Sequence, residues 1–263
     1  MSNPNHPNGV HQTAIDWQNW LRRWEAQQNA QLPDREARFE AMLDVLGTLL
    51  PAEFVALDLA SGPGAIASRL LQRFPKARCV AVDLDPVMLT MGEAALGDFG
   101  GRLRWVKADL TDPGWTSELG EATFDAVLST TSLHWLSLEP LVRVYRDLGS
   151  LVREDGVVIN GDHLPYAPHF ETLRLLSEVA IERQLTAAAA RADVDDWDGW
   201  WSALAQEPGV PDLIAQRPTR LTEKRDRPPI IFDVHEAALR DAGFREVGTI
   251  WQRLDNRVLV AVR

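Results

Sequence analysis

Apolar positions along the chain follow two rhythms, and the change between them locates the core. Trp17, Trp20, Leu21 and Trp24 recur at spacings of three and four, the stripe of one face of an amphipathic helix. Phe39, Met42, Leu43, Leu46 and Leu49 set a second inward stripe on a helix expected over Asp34–Leu50, which Pro51 closes. Beyond it come short apolar runs, Phe54–Leu59, Cys79–Asp83, Leu103–Val106, Phe124–Ser129 and Gly156–Asn160, each expected as a strand. Between them lie helices: one to about Phe74, one opened by Asp85 as N-cap with Pro86 in its first turn, and one with Leu141, Val144, Leu148 and Leu151 inward. Short apolar strands alternating with helices predict an α/β fold, a doubly wound, mostly parallel sheet covered on both faces.

Residues Asp162 to Pro229 break the alternation. A helix is expected from His169 to Ala190, then an acidic aromatic stretch, Asp193 to Trp201, then a proline-rich connector. Asp233-Val234-His235-Glu236 reads as a capping box opening a helix that Gly243 ends. Two strands, Phe244–Leu254 and Val258–Val262, turn through Asp255-Asn256 into an antiparallel C-terminal hairpin at the sheet edge. The expected organisation is therefore a tail and helical cap over 1–50, a core over 51–161 and 231–263, and a helical insertion over 162–230.

Composition narrows the function classes. The 263 residues suffice for one large α/β domain, and the net charge of −11 repels phosphate backbones, so no nucleic-acid partner is expected. The densest basic stretch, Arg217 to Arg227, is interrupted by Glu223 and Asp226 and reads as a solvated loop. Cys79 is the single cysteine and lies in an apolar run, which excludes an internal disulfide and a cysteine-rich metal site. Met1 to Gln12 carries no apolar stretch, so neither a signal peptide nor an anchor is expected there, and a cytoplasmic protein without a membrane span is the expectation. A homodimer is compatible with the sequence, which sets no oligomeric state.

Chemistry concentrates where strands end. Gly62-Pro63-Gly64 lies between a strand and a helix, where glycines let backbone approach a ligand and the helix N-terminus offers unpaired N–H groups. Gly62-x-Gly64-x-x-Ala67 followed by Asp83 also satisfies a loose dinucleotide fingerprint, and a ligandless tight turn is the plain alternative. Asp58, Asp83 and Asp109 end the first three strands at intervals of 25 and 26 residues, on the rim where open α/β sheets bind ligands. Asp83 is placed to accept from both hydroxyls of a ribose, and Asp109 from an adenine amino group.

Together these segments resemble a family. Leu57 to Gly64 resembles motif I of the class I S-adenosylmethionine-dependent methyltransferases, and Val82 to Leu89, with Ala108-Asp109-Leu110, is similar to their second and third motifs. Phe124–Ser129 continuing to Leu136, and Arg153 to Val158, resemble the segments at the fourth and fifth strands. The resemblance covers about residues 51–161 and 231–263, and it implies a Rossmann-like core that binds S-adenosyl-L-methionine and methylates a small-molecule acceptor. Ala60 stands where motif I has its first glycine; alanine fits there if its φ is negative, which is the expectation.

The resemblance implies roles residue by residue. Asp58 would orient the turn and face the amino-acid end of the cofactor, and Ala60, Gly62 and Gly64 would let it approach. Asp83 and Leu84 would lie at the ribose, and Met88 would pack on adenine or serve simply as core. Asp109 and Leu110 would read the adenine edge, and Ser129 would lie near the methionine part. A sulfonium methyl is already electrophilic, so the protein has to align a nucleophile, exclude water and supply a base only where the acceptor loses a proton. His134 is the first candidate base and His163 the second, with a polar contact at a helix start as the alternative for His134. Trp135, Trp197, Trp200, Trp201 and Trp20 are candidate acceptor walls, or aromatic anchors that hold the insertion to the sheet. Asp58, Asp109 and the hairpin count against the two rivals' leader, an NAD(P)-dependent oxidoreductase; the other rival is a non-catalytic binding module that acts through a partner.

Overall fold

The structure is a computed structural model, and it describes residues 15–32, 34–191, 193–221 and 228–263. The N-terminal tail and most of the basic stretch 217–227 lie outside the described residues. Two helices open the chain, α1 (Trp17–Gln31) and α2 (Arg35–Leu49). Then follow β1 (Val55–Leu59), α3 (Ala65–Arg73), β2 (Arg78–Asp83), α4 (Pro86–Leu96), β3 (Leu103–Lys107), β4 (Phe124–Thr130), α5 (Leu138–Leu151) and β5 (Val152–His163). Three helices come next, α6 (Glu171–Ala189), α7 (Trp197–Leu204) and α8 (Val210–Ala215), before α9 (Phe232–Asp241), β6 (Glu246–Arg253) and β7 (Asn256–Val262).

The strands form a seven-stranded sheet in the order β3-β2-β1-β4-β5-β7-β6, parallel through β5, with β7 and β6 antiparallel. The expected hairpin forms, but only β6 takes the edge; β7 slots between β5 and β6 and is buried along most of its length. Alternate residues of the parallel strands feed opposite cores, which is why the central runs are apolar on both faces. Leu57, Leu59, Val80 and Val82 join α5 and α9, whereas Ala56, Cys79 and Ala81 join α2 and α3. A third cluster packs Trp20 and Trp24 of α1 and Trp200 and Leu204 of α7 on Val87, Met88 and Met91 of α4.

Register sets the site. Leu59 lies opposite Val82, Asp83 opposite Lys107, and Thr130 opposite Gly161, so β1 to β5 finish along one rim. Asp85 caps α4 as expected, accepting from the Val87 amide at 2.9 Å. The capping box at Asp233–Glu236 does not form. The helix starts two residues earlier, with Ile231 as N-cap and Phe232 first, whose amide donates to the Pro165 carbonyl at 2.9 Å and anchors the start to the body of the protein. Leu49, expected inward, is half exposed, whereas Leu46 and Leu50 on either side of it pack on the core. Three further elements, α7, α8 and a 3₁₀ turn at Trp115–Leu119, lie where no helix was expected.

Candidate active site

The rim opens into a cavity of about 650 Å³, bounded by the strand ends on one side and by α1, α6 and α7 on the other. At its floor the chain leaves β1 through a turn in which Ala60, Gly62 and Gly64 all have positive φ, at 55°, 54° and 83°. The expectation of negative φ at Ala60 is therefore wrong. Left-handed residues at alternate positions bring the chain round within five residues, and Ala60 adopts this strain at a cost of about 1 kcal/mol. Its carbonyl accepts from Ser132 Oγ at 2.9 Å, which ties the turn to the segment after β4.

The two glycines differ. No atom lies within 4 Å of where a Cβ on Gly62 would stand, and Gly62 lines the cavity. A Cβ on Gly64 would stand 2.5 Å from the Trp105 ring, so this glycine makes room for a protein side chain. The turn is held by Asp83, whose Oδ2 accepts from the Gly62 amide at 2.7 Å and whose Oδ1 accepts from the Asp85 amide at 2.8 Å. Burial pushes its carboxyl up to about 6, the Asp85 carboxylate adds to that, and the two amides oppose it. Asp109 folds back on its own turn, accepting from the amide and hydroxyl of Thr111 at 2.8 and 2.7 Å.

Of the expected site residues, the fold brings Ala60, Gly62, Asp83, Leu84, Met88, Asp109, Leu110, His134, His163, Trp135, Trp197 and Trp201 to the cavity wall. Five are not on it. Asp58 is buried and turns to the start of α3, accepting from the Ala67 amide at 3.0 Å; burial first, then Asp83, pushes it up to about 7. Gly64 lies under Trp105. Ser129 spends its hydroxyl across the sheet on the Leu59 carbonyl, at 2.8 Å. Trp200 is fully buried, 4.9 Å from the Trp24 ring and 5.9 Å from that of Trp20, and Trp20 donates to Glu207 at 3.1 Å. These two tryptophans are anchors, because the helices that carry them turn those faces toward α4. Arg217 also departs from the solvated-loop reading: its Nε donates to Asp85 Oδ2 at 2.7 Å and its guanidinium lies 3.8 Å over the Trp201 ring.

On the acceptor side, His134 follows β4 in a single 3₁₀ turn, Leu133–Trp135, and lies on the wall. Its Nδ1 is 2.7 and 2.9 Å from the two oxygens of Asp162, and its amide donates to Oδ2 at 3.2 Å. Asp162 is wholly buried near the end of β5 and was not foreseen as a site residue; a fourth acid ending a buried parallel strand was the signal that could have found it. Burial alone would push its carboxyl up, but the His134 ring and the buried Arg38 hold it down, at about 2. Arg38 itself reaches Asn256 Oδ1 at 3.0 Å and Thr131 Oγ1 at 2.5 Å. His163 stands 3.5 Å from Asp255, an ion-pair distance without hydrogen-bond geometry.

A glycine turn at the first βα junction, acids at successive strand ends and a cavity at the carboxyl rim define an α/β protein that binds a nucleotide-like cofactor. Residues 56–156 match the methyltransferase domain family. Over those residues the chain is similar to S-adenosylmethionine-dependent methyltransferase domains. It is 32% identical over 120 residues to a methyltransferase of Mycobacterium tuberculosis, covering 46% of this chain and 55% of that one. With the trans-aconitate 2-methyltransferase of Sinorhizobium fredii it shares 36% identity over 169 residues, 63% of this chain and 59% of that one. A tRNA1(Val) (adenine(37)-N6)-methyltransferase of Porphyromonas gingivalis matches at 34% over 85 residues, 30% of this chain and 33% of that protein. The chain thus spans about half the length of the curated relatives it matches first. Among solved structures, an O-methyltransferase family protein from Burkholderia thailandensis superposes with a TM-score of 0.55 at 17% identity, covering 95% of this chain and 63% of that one, a likeness of fold.

Proposed function

We propose that the protein transfers the methyl group of S-adenosylmethionine to a small organic acceptor held between the sheet rim and the helices α1, α6 and α7. The observation that carries this reading is the convergence of the Ala60–Gly62 turn, Asp83 and Asp109 on the same cavity as His134 and Trp135. The residues present suit the cofactor, because the space beside Gly62 is empty and Asp83 keeps lone pairs for hydroxyl donors beyond its two amide bonds. Asp83 would accept from the ribose, Leu84 and Met88 would pack the adenine, and Asp109 with Leu110 would meet its edge. Asp58 acts from behind, by fixing α3 under the turn.

When bound, the cofactor would supply an electrophilic methyl group, with S-adenosylhomocysteine as the leaving group. The aromatic wall of Trp24, Trp135, Trp197 and Trp201 orients the acceptor and keeps water away, and His134 takes a proton where the acceptor must lose one. A net charge of −11 and a cavity roofed by helices favour a small molecule over a nucleic acid. No helix among the described residues is long and apolar enough to cross a membrane.

Calorimetry with S-adenosylmethionine, S-adenosylhomocysteine and NAD tests the cofactor, and transfer of labelled methyl into a pool of metabolites tests turnover. Asp83→Ala should weaken S-adenosylhomocysteine binding more than tenfold, about 1.4 kcal/mol or more, with a cooperative unfolding transition retained. Binding of NAD in place of the sulfonium cofactor, or unchanged affinity in that variant, would overturn the assignment.

A further inference from the structure

Arg217 joins three parts of the molecule at one point on the cavity wall. Its Nε donates to Asp85 Oδ2 and its guanidinium covers the Trp201 ring, so the chain just after α8 is fastened both to the start of α4 and to α7. All three residues line the cavity. The ion pair is sheltered, with side chains 10% and 7% exposed, whereas Arg23 with Asp195, which ties the insertion to α1, is 32% and 26% exposed. Asp85 is engaged on every side. Its Oδ1 caps α4 at the Val87 amide, its Oδ2 holds Arg217, and its own amide donates to Asp83 Oδ1. The loop between β2 and α4 therefore carries the acid proposed for the ribose and, two residues on, the anchor of the insertion.

A buried ion pair gains little net stability, because desolvation of both charges cancels most of their attraction. Removing one partner is different, since the other charge is then left buried and unpaired. Here that penalty can be relieved without unfolding: the insertion lifts, and water reaches Asp85 through the cavity. The rest of the grip of α8 on α4 is apolar, with Val210, Leu213 and Ile214 packed in the cluster of Val87, Met88 and Met91.

We infer that Arg217 is a positioning residue that fastens α7 and α8 over the adenosyl half of the cavity, so that S-adenosylmethionine enters and leaves through a state in which Arg217 has released Asp85. This rests on the methyltransferase reading and adds to it the residue that governs cofactor exchange. Trp201 is at once the stacking partner of Arg217 and part of the aromatic wall, so closing over the cofactor and completing the acceptor side are one movement.

The test is surface plasmon resonance of the full chain with S-adenosylhomocysteine. Arg217→Ala should raise the dissociation rate at least fivefold without lowering the association rate. Asp85→Asn keeps a side-chain oxygen for the Val87 amide but loses the charge, and should raise the dissociation rate as much. The double variant should be no faster than either single one. A smaller rise in Arg217→Ala, or effects that add in the double variant, overturns the inference. Hydrogen exchange separates a fastening from a merely structural role. Bound S-adenosylhomocysteine should slow exchange of the backbone amides from Val210 to Arg217 at least fivefold in the wild type, and should not do so in saturated Arg217→Ala. Should the variants not fold, the wild type still decides: exchange there that the ligand leaves unchanged refutes the inference. Failure of the wild type to bind S-adenosylhomocysteine would instead sink the cofactor reading, so the two failures are distinguishable.

Discussion

Gly62 and Gly64 stand two residues apart in one turn, and replacing each by alanine should damage different properties. Both have positive φ, so either alanine meets a strain of about 1 kcal/mol, partly offset by roughly 0.4–1 kcal/mol from a less flexible unfolded chain. For Gly62 that is the whole effect on stability, because no atom lies within 4 Å of the new Cβ. At Gly64 the Cβ would stand 2.5 Å from Trp105 Cη2 and 3.3 Å from Leu96 Cδ1, and forcing a methyl into such a packed position adds about 1–3 kcal/mol. Urea unfolding should therefore show Gly62→Ala within about 1 kcal/mol of wild type and Gly64→Ala about 1–3.5 kcal/mol below it. Trp105→Leu combined with Gly64→Ala should recover part of the second loss, and a coupling of about 1–3 kcal/mol in that cycle would locate the clash. Calorimetry should reverse the order: Gly62→Ala loses more than tenfold in S-adenosylhomocysteine affinity, and folded Gly64→Ala stays within about threefold. Equal stability losses would refute the packing argument. Normal binding by Gly62→Ala would remove that glycine from the cofactor site.

Three further outcomes follow from the same geometry. Trp200→Ala, at a fully buried site among Trp20, Trp24 and Met91, should lose about 3–5 kcal/mol in urea unfolding, and a loss below about 1 kcal/mol would show that this cluster is not core. Ala60→Gly relieves left-handed strain but frees the unfolded chain, so its stability should stay within about 0.5 kcal/mol of wild type; a larger loss would contradict the φ of 55°. His235, buried against the Tyr145 hydroxyl at 2.7 Å, is held neutral by burial, with a pKa of about 4 against 6.5 for an ordinary histidine. Protons bind the unfolded chain first between those values, so its contribution is intact above about pH 6.5 and is lost as pH falls toward 4. The raised carboxyls of Asp58 and Asp83 work in the opposite direction, because the folded state takes up their protons first. Comparison with His235→Phe isolates the histidine: the stability gap between wild type and variant should change by about 2 kcal/mol against the wild type between pH 7 and 4.5, and a constant gap would refute the buried neutral ring.

The order of elements, the two-sided burial of the parallel strands and the rim that gathers Asp83 and Asp109 were all legible in the sequence. Burial on one face or two is written in local periodicity, and an acid closing an apolar run marks a strand end; both are properties of a few consecutive residues. The tertiary structure alone decided the rest. It put Asp162 against His134 across 28 residues and Arg217 against Asp85 across 132, and it separated Trp200, a core anchor, from its neighbour Trp201 on the cavity wall. Neighbours on a helix differ by about 100° in direction, so which of them faces a ligand depends on what the helix packs against. Ala60 shows the same limit at the level of one torsion angle: its residue type favours negative φ, and the closure of the turn between β1 and α3 overrides that local preference. Contacts distant in sequence exist only once the sheet has set its register, and no local pattern encodes them.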